Sequence, residues 1–322
     1  MEEVRQWCTE HYALAGTFDP LPGERDLNFK IVDGEGKAFV CKICDRSEDL
    51  AFLSAQNEVM GHLNRHELSA IPEVLVSHDH QNLVAVEGAD GRAYVLRVLT
   101  YVPGRVLATC APYSPGLIRD LGRTMGRLTV ALAGFDHPAF HYDFHWDLAR
   151  SMAVVDRYRE LISDPGVRDQ VGRIAEEFRE IVQPRLEGLR KSVIHNDAND
   201  HNILAEGESV TGIIDFGDMV HSCTICDLAI AVAYAILESD DTLGVITGMA
   251  GGYHDMMPLE DEEFTVLFPM VRMRLAVSAC MAAYQLSLRP DDPYLAISQE
   301  PIRKTLPSLL NMEAQEVENQ LR

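Results

Sequence analysis

The sequence predicts an α+β fold in two lobes, a small antiparallel-sheet N-lobe followed by a larger, mainly helical C-lobe. Three observations carry that expectation. Residues up to about 100 read mostly as short strand patterns around one long helical pattern; beyond Tyr101-Val102-Pro103-Gly104 helical periodicity takes over. One island of short apolar runs, from Val193 to Phe216, interrupts the helices. The expected division is therefore 1–100 and 101–322, with Pro103-Gly104 as the candidate hinge. Apolar residues make up 47% of the 322, ample for a sizeable core.

Element by element, residues 2–12 read as a short helix. A Pro/Gly-bounded loop, Asp19 to Asp26, then leads into a strand at Leu27–Val32. Asp33-Gly34-Glu35-Gly36 is a hairpin signal, with Lys37–Cys44 as the return strand. Ser47 is placed to cap a helix reaching about His66, and strands are expected at Val74–Ser77, Leu83–Glu87 and Arg92–Leu99. Helices are expected at 115–133, 147–162, 167–188, 224–238, 242–255 and 261–288, and the polar tail Asn311–Arg322 is expected to fray.

Formal net charge is −22, which repels nucleic acid and anionic lipid and argues against either as a partner. A triphosphate is repelled too, so a nucleotide site needs a divalent cation and local positive groups. No run of about 18 uncharged apolar residues and no secretory signal pattern is read, so a cytoplasmic protein is expected. Seven cysteines include two Cys-x-x-Cys pairs, Cys41/Cys44 and Cys223/Cys226. Residues three apart on a strand face opposite ways, so Cys41 and Cys44 read as buried thiols and not as zinc ligands.

The densest chemistry is His195-Asn196-Asp197-Ala198-Asn199-Asp200-His201-Asn202, followed thirteen residues later by Asp215-Phe216-Gly217-Asp218 at the end of an apolar strand. Phosphoryl transfer needs a carboxylate to orient or deprotonate the acceptor hydroxyl, and oxygen ligands for Mg²⁺ on the phosphates. Asp197 suits the first role, and Asn202 and Asp215 suit the second. Asp218 is either a further metal contact or a turn residue. Asp227 reads as structural, capping the next helix and hydrogen-bonding the loop. In the N-lobe Lys42 alternates inward with Val40 and Cys44, where it would reach the donor phosphates, with Glu58 on the next helix as its partner. No Gly-x-Gly-x-x-Gly precedes it; Gly23 to Phe29, including Arg25 and Asn28, takes the phosphate-covering position, its backbone amides doing the cradling.

These residues resemble the aminoglycoside phosphotransferase/choline kinase superfamily, on His195–Asn202, Ile214–Asp218, Lys42 and Glu58. Within it, Asn199–Leu204 with Asp215–Met219 is most similar to the hydroxylysine kinases, and equally to bacterial kinase-like domains sometimes fused ahead of class III aminotransferase-like enzymes. Leu21–Asp26, Leu99–Gly104, Trp146-Asp147-Leu148 and Asp291–Leu295 strengthen the likeness, which spans nearly the whole chain. The resemblance implies a bilobal protein-kinase-like fold and a phosphotransferase with Asp197 as base and Asn202 and Asp215 on Mg²⁺. It implies 5-hydroxy-L-lysine as acceptor and GTP as donor, with ATP the other candidate. Thr100 and Tyr101 go with the nucleotide and His195 with the catalytic loop. Many relatives carry Gly where this chain has Asn196.

Other signals are weaker. His137, His141 and His145 recur every four residues, but Pro138 argues against a metal-binding helix. Arg272 and Arg274 enter an apolar helix, where one would hold an acceptor carboxylate; the alternative is pairing with an acidic neighbour or snorkelling. The competing functions are a kinase for choline, ethanolamine, homoserine or an aminoglycoside, and a non-catalytic nucleotide-binding regulatory module. A protein kinase is disfavoured, because the stretch from Asp218 to Asp227 is too short for a peptide-docking activation segment.

Overall fold

The computed structural model describes residues 1–23, 26–45, 49–66, 68, 70–289 and 299–322. Arg25, Ser47 and Asp291–Leu295 lie outside the described residues. The chain divides into two compact units, Met1–Pro103 with Gly212–Ile214, and Gly104–Thr211 with Asp215–Arg322.

The first unit begins with α1 (Glu2–Tyr12), followed by β1 (Gly16–Leu21), β2 (Leu27–Asp33), β3 (Ala38–Asp45), α2 (Leu50–Leu63), β4 (Val84–Glu87) and β5 (Ala93–Thr100). The strands form one antiparallel sheet in the order β1-β2-β3-β5-β4. The β2–β3 turn closes on Asp33, whose Oδ1 accepts from the amides of Glu35 and Lys37, each at 2.9 Å. Val4, Cys8 and Tyr12, one stripe of α1, pack on the face carrying Phe29, Ile31, Phe39, Cys41 and Ile43. Cys44 belongs to a separate cluster with Leu53 of α2 and Val95, so Cys41 and Cys44 do face opposite sides of the sheet. Asp49 caps α2 through Ala51 N at 2.8 Å.

Two strand expectations are corrected here. Gly16–Leu21, read partly as loop, is an edge strand that tolerates Pro20. Val74–Ser77 contributes only an isolated bridge from Val74 to Leu99.

The second unit adds β6 (Arg105–Val106), α3 (Pro115–Leu132), α4 (Ser151–Tyr158), α5 (Pro165–Glu177), β7 (Lys191–Ile194), β8 (Ile203–Glu206), β9 (Ser209–Ile213), β10 (Val220–Cys223), α6 (Ile225–Ala235), α7 (Thr242–Met256), α8 (Asp261–Leu288), α9 (Gln299–Leu310) and α10 (Ala314–Leu321). The last two residues of β9 group with the first unit. Helix α8 is the core: α4, α5, α6, α9 and α10 all pack on it. Among the described residues it is the one helix long and apolar enough to cross a membrane, and 94% of that apolar window is buried inside the protein. It opens on a capping box in which Glu260 and Glu263 serve each other's backbone amides.

The helix expected over 167–188 runs from Pro165 to Glu177 and passes into a π turn at Phe178–Val182. The tail expected to fray is the helix α10, held by buried Val317 and by Thr265 Oγ1 donating to Glu318 at 3.1 Å.

Candidate active site

The second unit assembles a polar cluster from strand pairing. β7 and β10 are antiparallel with Ile194 opposite Val220, so the loop leaving β7 and the turn entering β10 emerge at the same end. The first carries His195, Asn196 and Asp197. The second carries Asp215 and the short turn Phe216–Asp218. Two loop residues adopt left-handed backbone, Asn196 at φ 64° and Asp215 at φ 61°. A side-chain Cβ is crowded in this region, and Asn and Asp tolerate it best after Gly, so an Asn at 196 suits the conformation. Its Nδ2 donates to Asp218 O at 3.2 Å, tying the two loops.

The loop is pinned from beneath. Asp227, 1% exposed in the first turn of α6, accepts from His195 N at 2.9 Å and Asn196 N at 2.7 Å. Its carboxylate serves the loop, and makes no side-chain cap on its own helix. Burial pushes the Asp227 carboxyl up, while His195 and the two amides pull it down. His195 is fully buried, edge-on to Phe216 at 4.8 Å, and its Nδ1 accepts from Asp197 N at 3.3 Å.

Asp197 keeps 23% of its side chain accessible and is held at both oxygens. Oδ1 accepts from Asn199 Nδ2 at 2.9 Å and lies 3.3 Å from Arg274 Nη2; Oδ2 accepts from Asn202 Nδ2 at 2.7 Å. Asn202 Nδ2 also reaches Asp197 O at 2.9 Å, so the atom Asn202 can offer a cation is its amide oxygen. Asn199 folds the turn, its Oδ1 accepting from His201 N at 2.8 Å and Asn202 N at 3.2 Å. Burial and then the charges of Asp218 and Asp215 push the Asp197 carboxyl far above the usual carboxylate range, against the pull of Arg274 and Asn199. Three carboxylates thus crowd one corner, and a hard divalent cation with oxygen ligands fits that donor set.

The two arginines of α8 separate. Arg272 is a structural anchor, pairing with Glu177, reaching the carbonyls of Leu309 and Met312, and lying 4.1 Å over the Phe268 ring. Arg274, also buried, faces Asp197 with its guanidinium over Trp146 at 4.8 Å and Tyr234 at 5.5 Å. The Asn199 and Arg274 contacts to Asp197 were not read from the sequence. The Asn two residues after an Asp is a recognisable local turn signal; Arg274 stands out in its apolar helix, but nothing in the sequence marks Asp197, 77 residues away, as its partner. Tyr253 is a core residue, its OH donating to Thr129 Oγ1 at 3.2 Å.

In the first unit Lys42 lies on β3 opposite Asn28 of β2 and Arg97 of β5, with Nζ 3.5 Å from Asp26 Oδ2. The expected Lys42–Glu58 pair is corrected: Glu58 is exposed on α2 and accepts from Ser54 Oγ at 3.4 Å. The buried polar positions on that helix are Gln56 and Asn57, which accept from Arg97 at 2.8 and 3.3 Å. Asn28 Nδ2 donates to Pro22 O at 3.3 Å, while its Oδ1 is buried without a hydrogen-bond partner among the described residues, an orphaned acceptor. Thr100 Oγ1 accepts from Glu73 N at 2.8 Å, and Lys30 Nζ sits 4.1 Å over the Tyr101 ring.

The site thus holds a carboxylate fixed by two amides and a guanidinium beside two more carboxylates. Residues 17–262 match the phosphotransferase enzyme family, and the chain belongs to it as a small-molecule kinase. It is 31% identical to a mouse (Mus musculus) hydroxylysine kinase over 93% of this chain and 86% of that protein. Among solved structures it is similar to an amicoumacin kinase in complex with AMP-PNP, Ca²⁺ and Ami, with TM-score 0.72, 16% identity and 99% and 93% of the two chains covered. It is also similar to a choline/ethanolamine kinase family protein from Mesorhizobium loti, with TM-score 0.65, 17% identity and 100% and 98% covered. The two solved neighbours share the bilobal kinase-like fold.

Proposed function

We propose that this phosphotransferase moves the γ-phosphate of GTP or ATP onto the hydroxyl of an amino-bearing metabolite, with 5-hydroxy-L-lysine as the acceptor. The observation that carries the reaction is the Asp197 carboxylate, fixed at both oxygens and still reachable. The acceptor rests on the 31% identity to a hydroxylysine kinase along most of both chains.

Asp197 orients the acceptor O–H and takes its proton as the oxygen attacks phosphorus. One P–O bond forms to the acceptor as the bond to the β-phosphate oxygen breaks, and the nucleoside diphosphate leaves. Asn199, Asn202 and Arg274 keep the carboxylate in one orientation, which lowers the entropy lost on reaching the reactive geometry. Asn202 and Asp215 would hold Mg²⁺, with Asp218 close by; when bound, the ion neutralises phosphate charge. Lys42 contacts the donor phosphates, and the orphaned Asn28 acceptor, Thr100 and Tyr101 go with the nucleotide.

The test is turnover with Mg-GTP and Mg-ATP against hydroxylysine, homoserine, ethanolamine, choline and an aminoglycoside. Hydroxylysine is expected to give the highest kcat/KM, and chelating the divalent ion should abolish turnover. No product from hydroxylysine while another alcohol reacts would reject the acceptor. Asp197→Asn should lower kcat by about three orders of magnitude or more while nucleotide Kd changes little. Undiminished turnover in that variant would reject the base.

A further inference from the structure

A second cluster of ligand-type side chains lies in the helical unit, apart from the residues around Asp197. The four-residue histidine spacing does not build it. His137 caps a short turn, its Nδ1 accepting from Ala139 N at 3.1 Å, and His145 packs edge-on to Phe144 at 5.0 Å. His141 instead meets two residues that the periodicity does not connect. Its Nε2 lies 2.7 Å from Asp136 Oδ1, and its ring stacks on His221 of β10 at 4.2 Å with 22° between planes. One ligand atom from each of Asp136, His141 and His221 lies within 4.8 Å of the others.

We propose that Asp136, His141 and His221 bind a single divalent transition-metal ion of the zinc class. Two imidazoles and a carboxylate favour Zn²⁺, Co²⁺, Ni²⁺ or Cu²⁺ over Mg²⁺ and Ca²⁺, which take oxygen ligands. Bonds of about 2.0–2.1 Å set tetrahedral ligand atoms roughly 3.3 Å apart. The 2.7 Å Asp136–His141 contact is shorter than that value and all three ligand atoms lie within 4.8 Å of one another, so closing the site requires side-chain rotation, that of the stacked imidazoles included. The turn Pro138–Phe140, flanked by His137 and His141 with Asp136 one residue earlier, brings Asp136 and His141 together, and strand pairing holds His221.

Three protein ligands leave a position open for water or a small anion. A cavity of about 550 Å³, lined by His141 and His221 together with Arg150, Gln183 and Lys191, supplies the room. The ion would tie the segment around 136–141 to β10.

The experiment is Zn²⁺ titration by competition with a chromophoric chelator, under excess Mg²⁺ to occupy oxygen-only sites. The intact chain is compared with Asp136→Asn, His141→Ala and His221→Gln, each checked for fold by circular dichroism. Co²⁺ absorption reports nitrogen ligation independently. The expected result is one ion per chain, bound at least about tenfold more weakly by each histidine variant, with the Co²⁺ visible bands lost. His141 is 45% exposed, so His141→Ala keeps its fold and decides the matter if His221→Gln does not. Binding weaker than in the intact chain by less than tenfold in His141→Ala, or no one-to-one binding at all, would overturn the site and leave a surface Asp–His pair stacked on a second histidine. Neither result bears on the proposed phosphoryl transfer, which is assigned to other residues.

Discussion

Asn196 shows how a residue type encodes a backbone conformation. It is fully buried, carries φ 64°, and donates to Asp218 O at 3.2 Å. Left-handed backbone costs an ordinary residue about 1–2 kcal/mol, less for Asn and nothing for Gly. Asn196→Ala should therefore lose about 1–2 kcal/mol in urea unfolding, plus the loop-tying hydrogen bond. Asn196→Gly should stay within about 1 kcal/mol of the native chain. Equal stability in the two variants would mean that the loop relaxes out of this conformation. Arg272 and Arg274 make the opposite point. Two residues apart on a helix they point about 200° away from each other, so one anchors Leu309 and Met312 and the other faces Asp197. Nothing in their shared apolar surroundings says which is which.

At the scale of elements, α3 and α7 meet so closely that glycine is obligatory at the contact. A Cβ on Gly122 would stand 2.0 Å from Met249 O, and one on Gly252 would stand 2.1 Å from Arg119 O. Glycine inside a helix normally costs about 0.5–1 kcal/mol relative to alanine, so the sign of a Gly→Ala exchange reports the packing. Gly252→Ala should destabilise by about 2–3 kcal/mol, as overpacking does. Gly61→Ala, on α2 where a Cβ meets nothing within 4 Å, should stabilise by about 0.5–1 kcal/mol in the same unfolding experiment. A stabilised Gly252→Ala would show that the two helices can separate at little expense. The elements misread from sequence share a cause. Edge strand β1 carries a proline and few buried residues, and α10 is polar except for the face built on Val317. Each acquires its structure from a neighbour more than from its own pattern.

At the scale of the whole molecule, a formal charge of −22 opposes compactness. Raising NaCl from about 10 mM to about 300 mM shortens the Debye length from roughly 30 Å to below 8 Å, and Tm should rise. A falling Tm would show that favourable surface pairs such as Arg119–Asp255 outweigh the net repulsion. The long helix α8 belongs to this scale too: hydrophobic enough to suit a membrane, it is buried as the core on which five other helices rest.

The two-part α+β build, the hairpin at Asp33–Gly36 and most of the helices were legible along the chain, because turns and apolar periodicity act between near neighbours; α9 and the starts of α4 and α5 were not. The Asp26 partner of Lys42, the Gln56/Asn57 cradle of Arg97, the Arg274 contact to Asp197 and the meeting of His141 with His221 were not. Those depend on strand register and helix packing, where hydrophobic burial supplies the free energy without reference to which polar side chains it carries along.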